Sequence, residues 1–362
     1  MTRKNGENNR FRPGVVGVGL IALDVVIREG SMPQYFAGGT CSNVLTILAY
    51  LGWRAMPITR HAHDHASEIV TADLRKWGVD VSYMHVEPLT KTPIIVERLE
   101  RDINGIPYHR FSFFCPSCNR RYAGFQPVPL KSLADILPQM SDSAVLFVDR
   151  VSPSSVAAAK KARENGSVIY FEPPSASDEK NFRTLLSTAT IVKYSHDRID
   201  ELEIPKGSVK LEIQTLGRGG LRFRTTLGDF RNHWHHLDAE SKKDLVDAAG
   251  AGDWLSAGLI HALCKGGEEG FLKTKRQSLL RAFSLGRSLA AWNCGFVGAR
   301  GGMYGSRLQE LGGLVKKYAL QSYDLVANAQ PFVERNDRAQ ICAGCDLSFE
   351  SLNSKTFKSR AS

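Results

Sequence analysis

The chain lacks the long apolar run that a membrane-spanning helix needs, since no hydrophobic stretch reaches about 18 residues. It also lacks internal repeats, low-complexity tracts and the Gly-x-x-x-x-Gly-Lys-Ser/Thr motif of P-loop proteins. Its first residues are polar and have no apolar core of the kind found in signal peptides. We therefore expect a cytoplasmic protein with no membrane partner, built neither from repeats nor around a P-loop.

The charge balance is one-sided. The 47 Lys and Arg residues outnumber the 37 Asp and Glu residues, which gives a formal net charge of +10. An excess of positive charge suits anionic ligands such as nucleotides, phosphorylated substrates or nucleic acids. The basic residues are spread along the chain without a long run. This distribution favours a basic enzyme over a nucleic-acid-binding protein.

Short apolar strands alternate with helix-like segments in the middle of the chain. Four segments have the composition of buried strands: 144–149, 168–171, 191–194 and 210–216. The alternation predicts an α/β fold, with a doubly wound, mostly parallel sheet and helices on both faces. Residues 92–113 break this pattern with two extended segments around Asn104-Gly105, a hairpin turn signal. We expect these residues to form a small β lid over one end of the sheet.

Composition divides the chain into three parts. Residues 1–12 are predicted to be a disordered basic tail. Residues 13–325 are predicted to form one large α/β domain, with the lid strands within about 20–40 and 88–115. Beyond this domain the chain becomes polar and irregular, and residues 326–362 are interpreted as a C-terminal extension.

The most informative motif is Asp-Ala-Ala-Gly-Ala-Gly-Asp at residues 247–253, which leads into an apolar, helix-like run at 254–264. Gly250 and Gly252 let backbone N–H groups turn toward one point. The start of a helix directs its free N–H groups and its positive dipole end to the same place, which makes an anion site. Asp253, at the edge of that site, could take a proton from an attacking hydroxyl. Phosphoryl transfer to an alcohol requires these two elements.

Four motifs resemble those of the ribokinase-like (PfkB-type) carbohydrate kinase family, both in their order along the chain and in their spacing. Gly-Gly-Thr-Cys-Ser-Asn at 38–43 resembles the family's Gly-Gly…Asn signature, and the 247–253 motif resembles its Asp-Thr-x-Gly-Ala-Gly-Asp signature. His-Asp at 63–64, followed by Trp-Gly-Val-Asp at 77–80, is similar to Gly-Asp-Asp…Gly-Val-Asp. Thr-Leu-Gly-Arg-Gly-Gly at 215–220 is similar to the Thr-x-Gly-x-x-Gly turn that lies under the nucleotide.

The resemblance covers roughly residues 13–325 and implies a phosphotransferase that uses ATP and Mg²⁺ on a hydroxyl of a sugar, sugar acid or nucleoside. By motif, it implies catalytic roles for Asp253 as general base and for the backbone N–H groups of Gly250, Ala251 and Gly252 as an anion hole. The substrate-binding residues that it implies are Asp24, Gly38, Gly39 and Asn43. The nucleotide-binding residues that it implies are Thr215, Gly217 and Gly220, and Arg300 could reach a phosphate.

One departure from the family pattern bears on activity. Ser-His-Asp-Arg at 195–198 stands where the family commonly has Asn-x-x-Glu, whose Glu helps to organise Mg²⁺ and its water. Arg198 cannot bind a cation, because its guanidinium is itself positively charged. Glu172, Asp197 and Glu201 are candidates to replace the missing glutamate. Because the base and the anion hole are intact, we favour an active kinase. The alternative is a catalytically silent ligand sensor or interaction protein with the same fold.

Two Cys-x-x-Cys pairs, Cys115-Pro-Ser-Cys118 and Cys342-Ala-Gly-Cys345, lie outside the family pattern. Two intervening residues let both thiolates of a pair face one ion, and two pairs supply the four soft ligands of a tetrahedral structural Zn²⁺ site. The fold would have to bring the distant pairs together, and zinc would then fasten the C-terminal tail to the chain just after the lid hairpin. Four unrelated thiols, or one redox-active pair, are the alternatives.

The sequence leaves the partners partly open. The phosphate acceptor is expected to be a small molecule, and an exposed edge of the lid sheet could pair with a second copy to form a homodimer. A nucleic-acid-binding protein is a third hypothesis, because zinc-ribbon-like cysteines accompany the positive charge.

Overall fold

The structure of the protein is a computed structural model. It describes residues 12–318, except 104, 106, 178, 206, 231, 241–243 and 305–307, together with residues 341, 342, 344, 345, 347, 348 and 351. The basic tail predicted over residues 1–12, apart from Arg12, and most of the extension predicted over 326–362 lie outside the described residues.

Strands occur along most of the described chain and form two separate sheets. In chain order they are β1 (Gly14–Val18), β2 (Ala22–Arg28), β3 (Gln34–Gly38), β4 (Arg54–His61), β5 (Met84–Val86), β6 (Ile94–Arg101), β7 (Pro107–Ser112), β8 (Ser143–Val148), β9 (Val168–Phe171), β10 (Ile191–Ser195), β11 (Leu211–Thr215), β12 (Leu221–Thr225) and β13 (His235–Leu237).

The larger sheet has the strand order β13-β12-β11-β10-β9-β8-β1-β4-β5. Its strands pair in parallel from β5 through to β11, which confirms the predicted mostly parallel sheet. At the other edge β12 and β13 are antiparallel, which the sequence pattern did not predict. The physical reason is the connection between β11 and β12, which is a tight turn at residues 216–220. A parallel crossover needs a dozen or more residues.

The second sheet, which we call the lid sheet, has the order β3-β2-β6-β7. Strands β6 and β7 pair antiparallel, so the hairpin predicted for residues 92–113 is present. Its turn includes Gly105, which has φ 75° as the predicted turn chemistry requires. Strand β2 pairs in parallel with β6 of this hairpin. Because β2 directly follows β1 in the chain, it also connects the lid sheet to the larger sheet.

The helices pack on both faces of the larger sheet. They are α1 (Thr40–Tyr50), α2 (His65–Lys76), α3 (Leu130–Ile136), α4 (Pro153–Glu164), α5 (Lys180–Thr188), α6 (Ala251–Leu263), α7 (Gly267–Leu272), α8 (Arg276–Asn293), α9 (Gly301–Tyr304) and α10 (Leu308–Tyr318). The last of these is the described part of the helix predicted over 306–325. None of the helices in the described residues is both long and apolar enough to cross a membrane.

Successive residues of the central strands contribute to two different cores, because strand side chains alternate between the faces of a sheet. Val15 and Phe147 belong to the larger core, which includes apolar residues of α1, α6 and α8. Val16 and Leu146 belong to the smaller core, which includes apolar residues of α3, α4 and α5. Burial on both faces explains why these strands are continuously apolar in sequence.

The carboxyl ends of the parallel strands meet at one edge of the sheet, and α6 begins there. The sequence pattern predicted a helix from residue 254, but α6 begins at Ala251, inside the Gly-Ala-Gly motif. Gly250 is its N-cap and has the left-handed conformation, with φ 72°. The earlier start puts Asp253 in the first turn of the helix. In open α/β sheets this edge is where ligands bind.

Candidate active site

The predicted anion hole is the N-terminus of α6. A Cβ atom at Gly250 would lie 2.2 Å from the Ala299 carbonyl oxygen, so both the backbone angle and the packing require glycine. The N–H groups in the first turn of a helix have no partner within the helix and point out of its end. The Ala251 N–H, however, donates to the Ala248 carbonyl at 3.2 Å. One of the three N–H donors predicted for the anion hole is therefore engaged in the turn.

Asp253 is buried beside this helix end, and 8% of its surface is exposed. Its Oδ2 accepts a hydrogen bond from Asn43 Nδ2 at 2.7 Å. Burial and the nearby Glu172 carboxylate raise the pKa of Asp253 to about 7, whereas the Asn43 hydrogen bond and the Lys193 ammonium oppose the increase. A carboxylate with a pKa near neutrality is well suited to act as a general base.

A buried lysine that sequence reasoning missed lies next to the Gly-Ala-Gly turn. Lys193 Nζ is 2.7 Å from Glu172 Oε1 and donates to the Gly252 carbonyl at 3.0 Å. Glu172 Oε2 accepts a hydrogen bond from Ser256 Oγ on α6 at 2.8 Å. The available signal was a lysine inside the otherwise apolar strand β10. Lys193 and Glu172 thus form an ion pair close to the end of α6.

A second carboxylate, Asp149, follows β8 at the same edge, as Glu172 follows β9. Asp149 is 1% exposed, and its Oδ1 accepts the Leu20 N–H at 2.9 Å. Burial raises the pKa of Asp149 to about 6, although the Arg150 guanidinium opposes the increase. Parallel strand ends thus place two acidic side chains near Asp253. No spacing in the sequence indicates this proximity.

Asp24, on lid strand β2, faces the same region. It is 6% exposed, and its Oδ1 has no hydrogen-bond partner among the described residues. Burial raises the pKa of Asp24 to about 7, while Arg300 and the Gly39 N–H oppose the increase. A Cβ atom at Gly38 would lie 1.8 Å from Asp24 Cγ. Glycine at 38 is therefore needed to accommodate this carboxylate.

Asn43 lies in the first half of α1, which begins directly after Gly39. The Gly39 carbonyl accepts the Asn43 N–H at 2.9 Å and so holds this residue at the start of the helix. Contacts therefore run from Asp24 through Gly38 and the N-terminal end of α1, where Asn43 lies, to Asp253. The structure brings together the residues that the family resemblance implied for substrate binding and the implied general base.

The prediction that Arg300 reaches a nucleotide phosphate does not agree with the structure. Arg300 is 2% exposed. Its Nε donates to Asn43 Oδ1 at 3.0 Å, and its Nη2 donates to Asp73 Oδ2 at 2.9 Å and to the Ala37 carbonyl. Tyr304 also donates to Asp73, at 2.7 Å. Arg300 is thus sequestered behind Asn43, where it can position that side chain. A glycine-rich context was insufficient evidence for a phosphate contact.

The residues predicted to lie near the nucleotide occupy the turn between β11 and β12. Thr215 ends β11, and its carbonyl accepts the His196 N–H at 2.9 Å, which ties this turn to the end of β10. Gly217 begins the short turn, and Gly220 packs closely on β13. A role for these residues in nucleotide binding is a prediction from the family resemblance.

The suggested substitutes for the missing glutamate occupy different environments. Asp197 and Glu201 are exposed, as is Arg198 itself. Glu172 is the one of the three suggested residues that contacts the α6 end of the site, through Ser256.

The lid sheet also contacts the residue that begins the signature motif. Asp247 is buried, and it accepts the Ala249 and Gly298 N–H groups at 2.9 and 2.8 Å. His109 of β7 places Nδ1 3.3 Å from Asp247 Oδ1. Burial alone would raise the pKa of Asp247, but the adjacent His109 ring and the N–H groups of Ala249 and Gly298 lower it. The lid sheet therefore packs against the segment that leads into the anion hole.

Glu97 of β6 lies in the same cluster and is fully buried. Both of its carboxylate oxygens lack a hydrogen-bond partner among the described residues. Burial raises the pKa of Glu97 to about 9, and the neighbouring carboxylates of Asp247 and Asp24 add to the increase. Glu97 is therefore protonated at neutral pH.

The four predicted zinc ligands are close in space although they are distant in sequence. Cys115 Sγ lies 3.8 Å from Cys345 Sγ, and Cys118 Sγ lies 3.6 Å from Cys342 Sγ. The group lies beyond the end of β7.

Comparison with known proteins agrees with this architecture. The sequence model of the pfkB family of carbohydrate kinases matches residues 15–303, which are most of the chain. The Arabidopsis thaliana protein named "Probable fructokinase-6, chloroplastic" is 26% identical over 249 residues, which span 62% of this chain and 62% of that protein. The match thus extends over less than two thirds of this relative.

Solved structures of sugar kinases have the same fold. Fructokinase with bound ATP from Xylella fastidiosa superposes with a TM-score of 0.66 at 15% identity, over 85% of this chain and 99% of that one. Ribokinase from Giardia lamblia gives a TM-score of 0.63 at 14% identity, over 85% and 100% of the two chains. Arabidopsis thaliana ribokinase complexed with ribose and ATP gives 0.56 at 16% identity, over 76% and 92%. Together with the family match, these relationships show that the chain is a member of the pfkB family of carbohydrate kinases with the ribokinase-like fold.

Proposed function

We propose that this protein transfers the terminal phosphoryl group of ATP to a hydroxyl group of a sugar, with Asp253 as the general base. The observation that carries the proposal is the position of Asp253. It lies in the first turn of α6, beside the N-terminal N–H groups, and Asn43 holds its carboxylate by a 2.7 Å hydrogen bond. A base and an anion site therefore adjoin, as phosphoryl transfer to an alcohol requires.

In this proposal each side chain acts on a defined part of the reaction. Asp253 accepts the proton of the attacking hydroxyl. The N–H groups of Gly252 and the helix end stabilise charge on the transferred group. Lys193, which donates to the Gly252 carbonyl at 3.0 Å and pairs with Glu172, holds this turn in place. Asp24, with its unpartnered Oδ1, accepts hydrogen bonds from other hydroxyls of the substrate.

ATP is the proposed phosphoryl donor. The fructokinase from Xylella fastidiosa was solved with bound ATP, and the family resemblance puts the nucleotide at the turn that contains Thr215, Gly217 and Gly220. This turn lies at the end of β11, beside the carboxyl edge of the sheet, which supports the assignment.

Mg²⁺, which the family implies, needs oxygen ligands and keeps several of its waters. Asp149 and Glu172 offer carboxylates at the correct edge. The oxygens of Asp149 already accept bonds from Leu20 and Arg150, and those of Glu172 accept bonds from Lys193 and Ser256. This donor set fits an ion that is held through its own waters. When bound, Mg²⁺ would neutralise charge on the phosphates.

The acceptor is proposed to be a hydroxymethyl group of a sugar, with sugar acids and nucleosides as wider alternatives. Relatives include proteins named for fructose and ribose, and one ribokinase structure contains ribose. The motivating feature in this chain is the buried Asp24, whose unpartnered Oδ1 can accept a hydrogen bond from one of the several hydroxyls that a sugar presents.

A homodimer through the lid sheet is a secondary proposal. Strand β7 is an edge of that sheet, and Phe111 and Phe113 in and after it are 47% and 42% exposed. An exposed edge with aromatic side chains can pair with a second copy. Light scattering should give a dimer mass for the native protein and a monomer mass for Phe113→Glu.

The decisive experiment is ADP release from Mg-ATP across a panel of sugars, sugar acids and nucleosides, with Asp253→Asn protein as the blank. A hit that disappears in the variant supports the proposal and identifies the acceptor. Ligand binding without turnover would instead favour the silent sensor, for which the motivating observation is exposed Arg198 in place of the usual glutamate.

A further inference from the structure

Two short turns, distant in the sequence, face each other beyond the end of β7. The first contains Cys115 and Cys118, and the second contains Cys342 and Cys345. Cys118 and Cys342 are 224 positions apart, yet their sulfur atoms are 3.6 Å apart. The proposed kinase chemistry makes no use of these residues.

The two turns share two hydrogen bonds, and in the second turn the Leu347 carbonyl also accepts the Ile341 N–H at 2.8 Å. In the first, the Cys115 N–H donates to the Arg120 carbonyl at 2.8 Å, and Cys115 Sγ accepts the Ser117 N–H at 3.4 Å. In the second, the Cys342 N–H donates to the Leu347 carbonyl at 3.4 Å, and Cys342 Sγ accepts the Gly344 N–H at 3.4 Å. In both turns, therefore, the first cysteine bonds to the carbonyl five residues later and accepts the N–H two residues later. Backbone N–H groups directed at sulfur stabilise a thiolate and orient it as a metal ligand.

The spacing of the sulfur atoms fits one tetrahedral ion. With a Zn–S bond of about 2.3 Å, tetrahedral geometry puts any two sulfurs about 3.8 Å apart. The distances between the turns are 3.8 and 3.6 Å, and all four sulfur atoms lie within 4.8 Å of one another. A disulfide would require about 2.05 Å, and none of these four cysteines forms one.

We propose that Cys115, Cys118, Cys342 and Cys345 bind one structural Zn²⁺ ion, which fastens the chain around residues 341–348 to the turn that follows the lid hairpin. Four thiolates with no other ligand form a closed site, as structural zinc requires, and leave no open position for catalysis. The proposal does not rest on the proposed kinase activity.

The expected effect of the ion is on folding. Ile341, Cys342 and Leu347 are buried in the same core as Cys115, and Tyr122 packs against that core. Only a few described residues of this segment are buried. Without a metal ion, the apolar contacts of these few residues would have to offset the entropy cost of ordering the segment. Metal binding to four preformed ligands adds its free energy directly to folding.

The test is zinc content and thermal unfolding of the full chain, purified without chelator from zinc-supplemented cells. We expect about one zinc per native chain and less than about 0.2 in Cys118→Ser and in Cys342→Ser, because each variant removes one of four ligands. Cys294→Ser, outside the cluster, is the matched control and should retain about one zinc. Chelation should lower the Tm of the native and control proteins and leave that of the two ligand variants unchanged.

A second measurement covers the case in which a variant fails to fold. Native protein reconstituted with Co²⁺ should show the intense thiolate-to-cobalt absorption of a tetrahedral four-sulfur site. Less than about half an equivalent of zinc in native protein, undiminished zinc in Cys118→Ser, or cobalt spectra without thiolate bands would each overturn the proposal.

Discussion

The Asn43 side chain links Asp253 to Arg300: its Nδ2 donates to Asp253 Oδ2 at 2.7 Å, and its Oδ1 accepts from Arg300 Nε at 3.0 Å. A guanidinium is only a donor, so it can face only the amide oxygen. The amide nitrogen must then point to Asp253 and stabilise its charged form. Arg300 is thus a positioning residue for the proposed base, acting through Asn43.

Asp253→Asn should lower kcat by about 10²- to 10⁴-fold, because the variant keeps the shape of the side chain but cannot accept the proton. KM for the sugar should change little. Steady-state kinetics with the acceptor identified by the panel would measure this, and a matching thermal unfolding curve would show that the fold is retained. An undiminished rate would remove Asp253 from the role of base.

The pH dependence of kcat/KM should have an acidic limb near 7. Burial raises the pKa of Asp253 to about 7, and the base is active only when deprotonated, so the rate should rise with pH through this value. Asn43→Ala removes the hydrogen bond that stabilises the carboxylate and should move the limb to higher pH.

Asp24 is the control for this assignment, since burial raises its pKa to about 7 as well. Asp24→Asn should raise KM for the sugar and leave the limb in place. A limb that vanishes in Asp24→Asn and is unmoved in Asn43→Ala would assign the titration to Asp24 instead.

Arg300→Met should destabilise the protein by about 3 kcal/mol, because Asp73, a partly buried carboxylate, loses its cationic partner and keeps only its bonds from Tyr304 and the Ala37 N–H. It should also lower kcat and raise KM for the sugar, since Asn43 loses its anchor, while KM for ATP stays unchanged. Urea unfolding and kinetics against both substrates measure these effects. Arg218→Ala, an exposed change in the turn at 217–219, should have no effect on stability. A rise confined to KM for ATP would restore Arg300 as a phosphate ligand.

Glu97→Gln should stabilise the protein, and the gain should grow with pH. The pKa of Glu97 is raised to about 9 in the folded state, so between the ordinary value of 4.5 and about 9 the folded protein keeps a proton that the unfolded chain loses. The unfolded state then binds fewer protons, and the contribution of Glu97 to stability falls as pH rises. Glutamine does not titrate, so the Glu97→Gln protein should not lose stability in this way as pH rises.

Unfolding of the Glu97→Gln and native proteins should therefore nearly coincide at pH 5 and diverge by pH 8, by at most roughly 1.4 kcal/mol per pH unit. Exposed Glu201→Gln should show no such divergence. A difference that is constant with pH would mean that Glu97 is ionised in the folded protein.

Local motifs predicted much of the fold and part of the site. The strands at 144–149 and 168–171 and the hairpin around residue 105 followed from apolar composition and turn chemistry, which act over a few residues. The loop from Gly250 to Asp253 was recognisable because a glycine-rich turn and the helix after it are contiguous. The antiparallel edge at β12 was missed because residues 216–220 were interpreted as a ligand-binding turn and not as a hairpin.

The sequence by itself determined the local elements and the order of the family motifs, because both depend on neighbouring residues. Only the tertiary structure decided that Lys193 pairs with Glu172, that Arg300 is buried against Asp73, and that two cysteine turns 224 positions apart adjoin. These contacts join residues on different elements, and their geometry depends on how strands and helices pack around the sheet. Periodicity and spacing along a chain predict which elements form, but they do not specify which side chains of different elements meet.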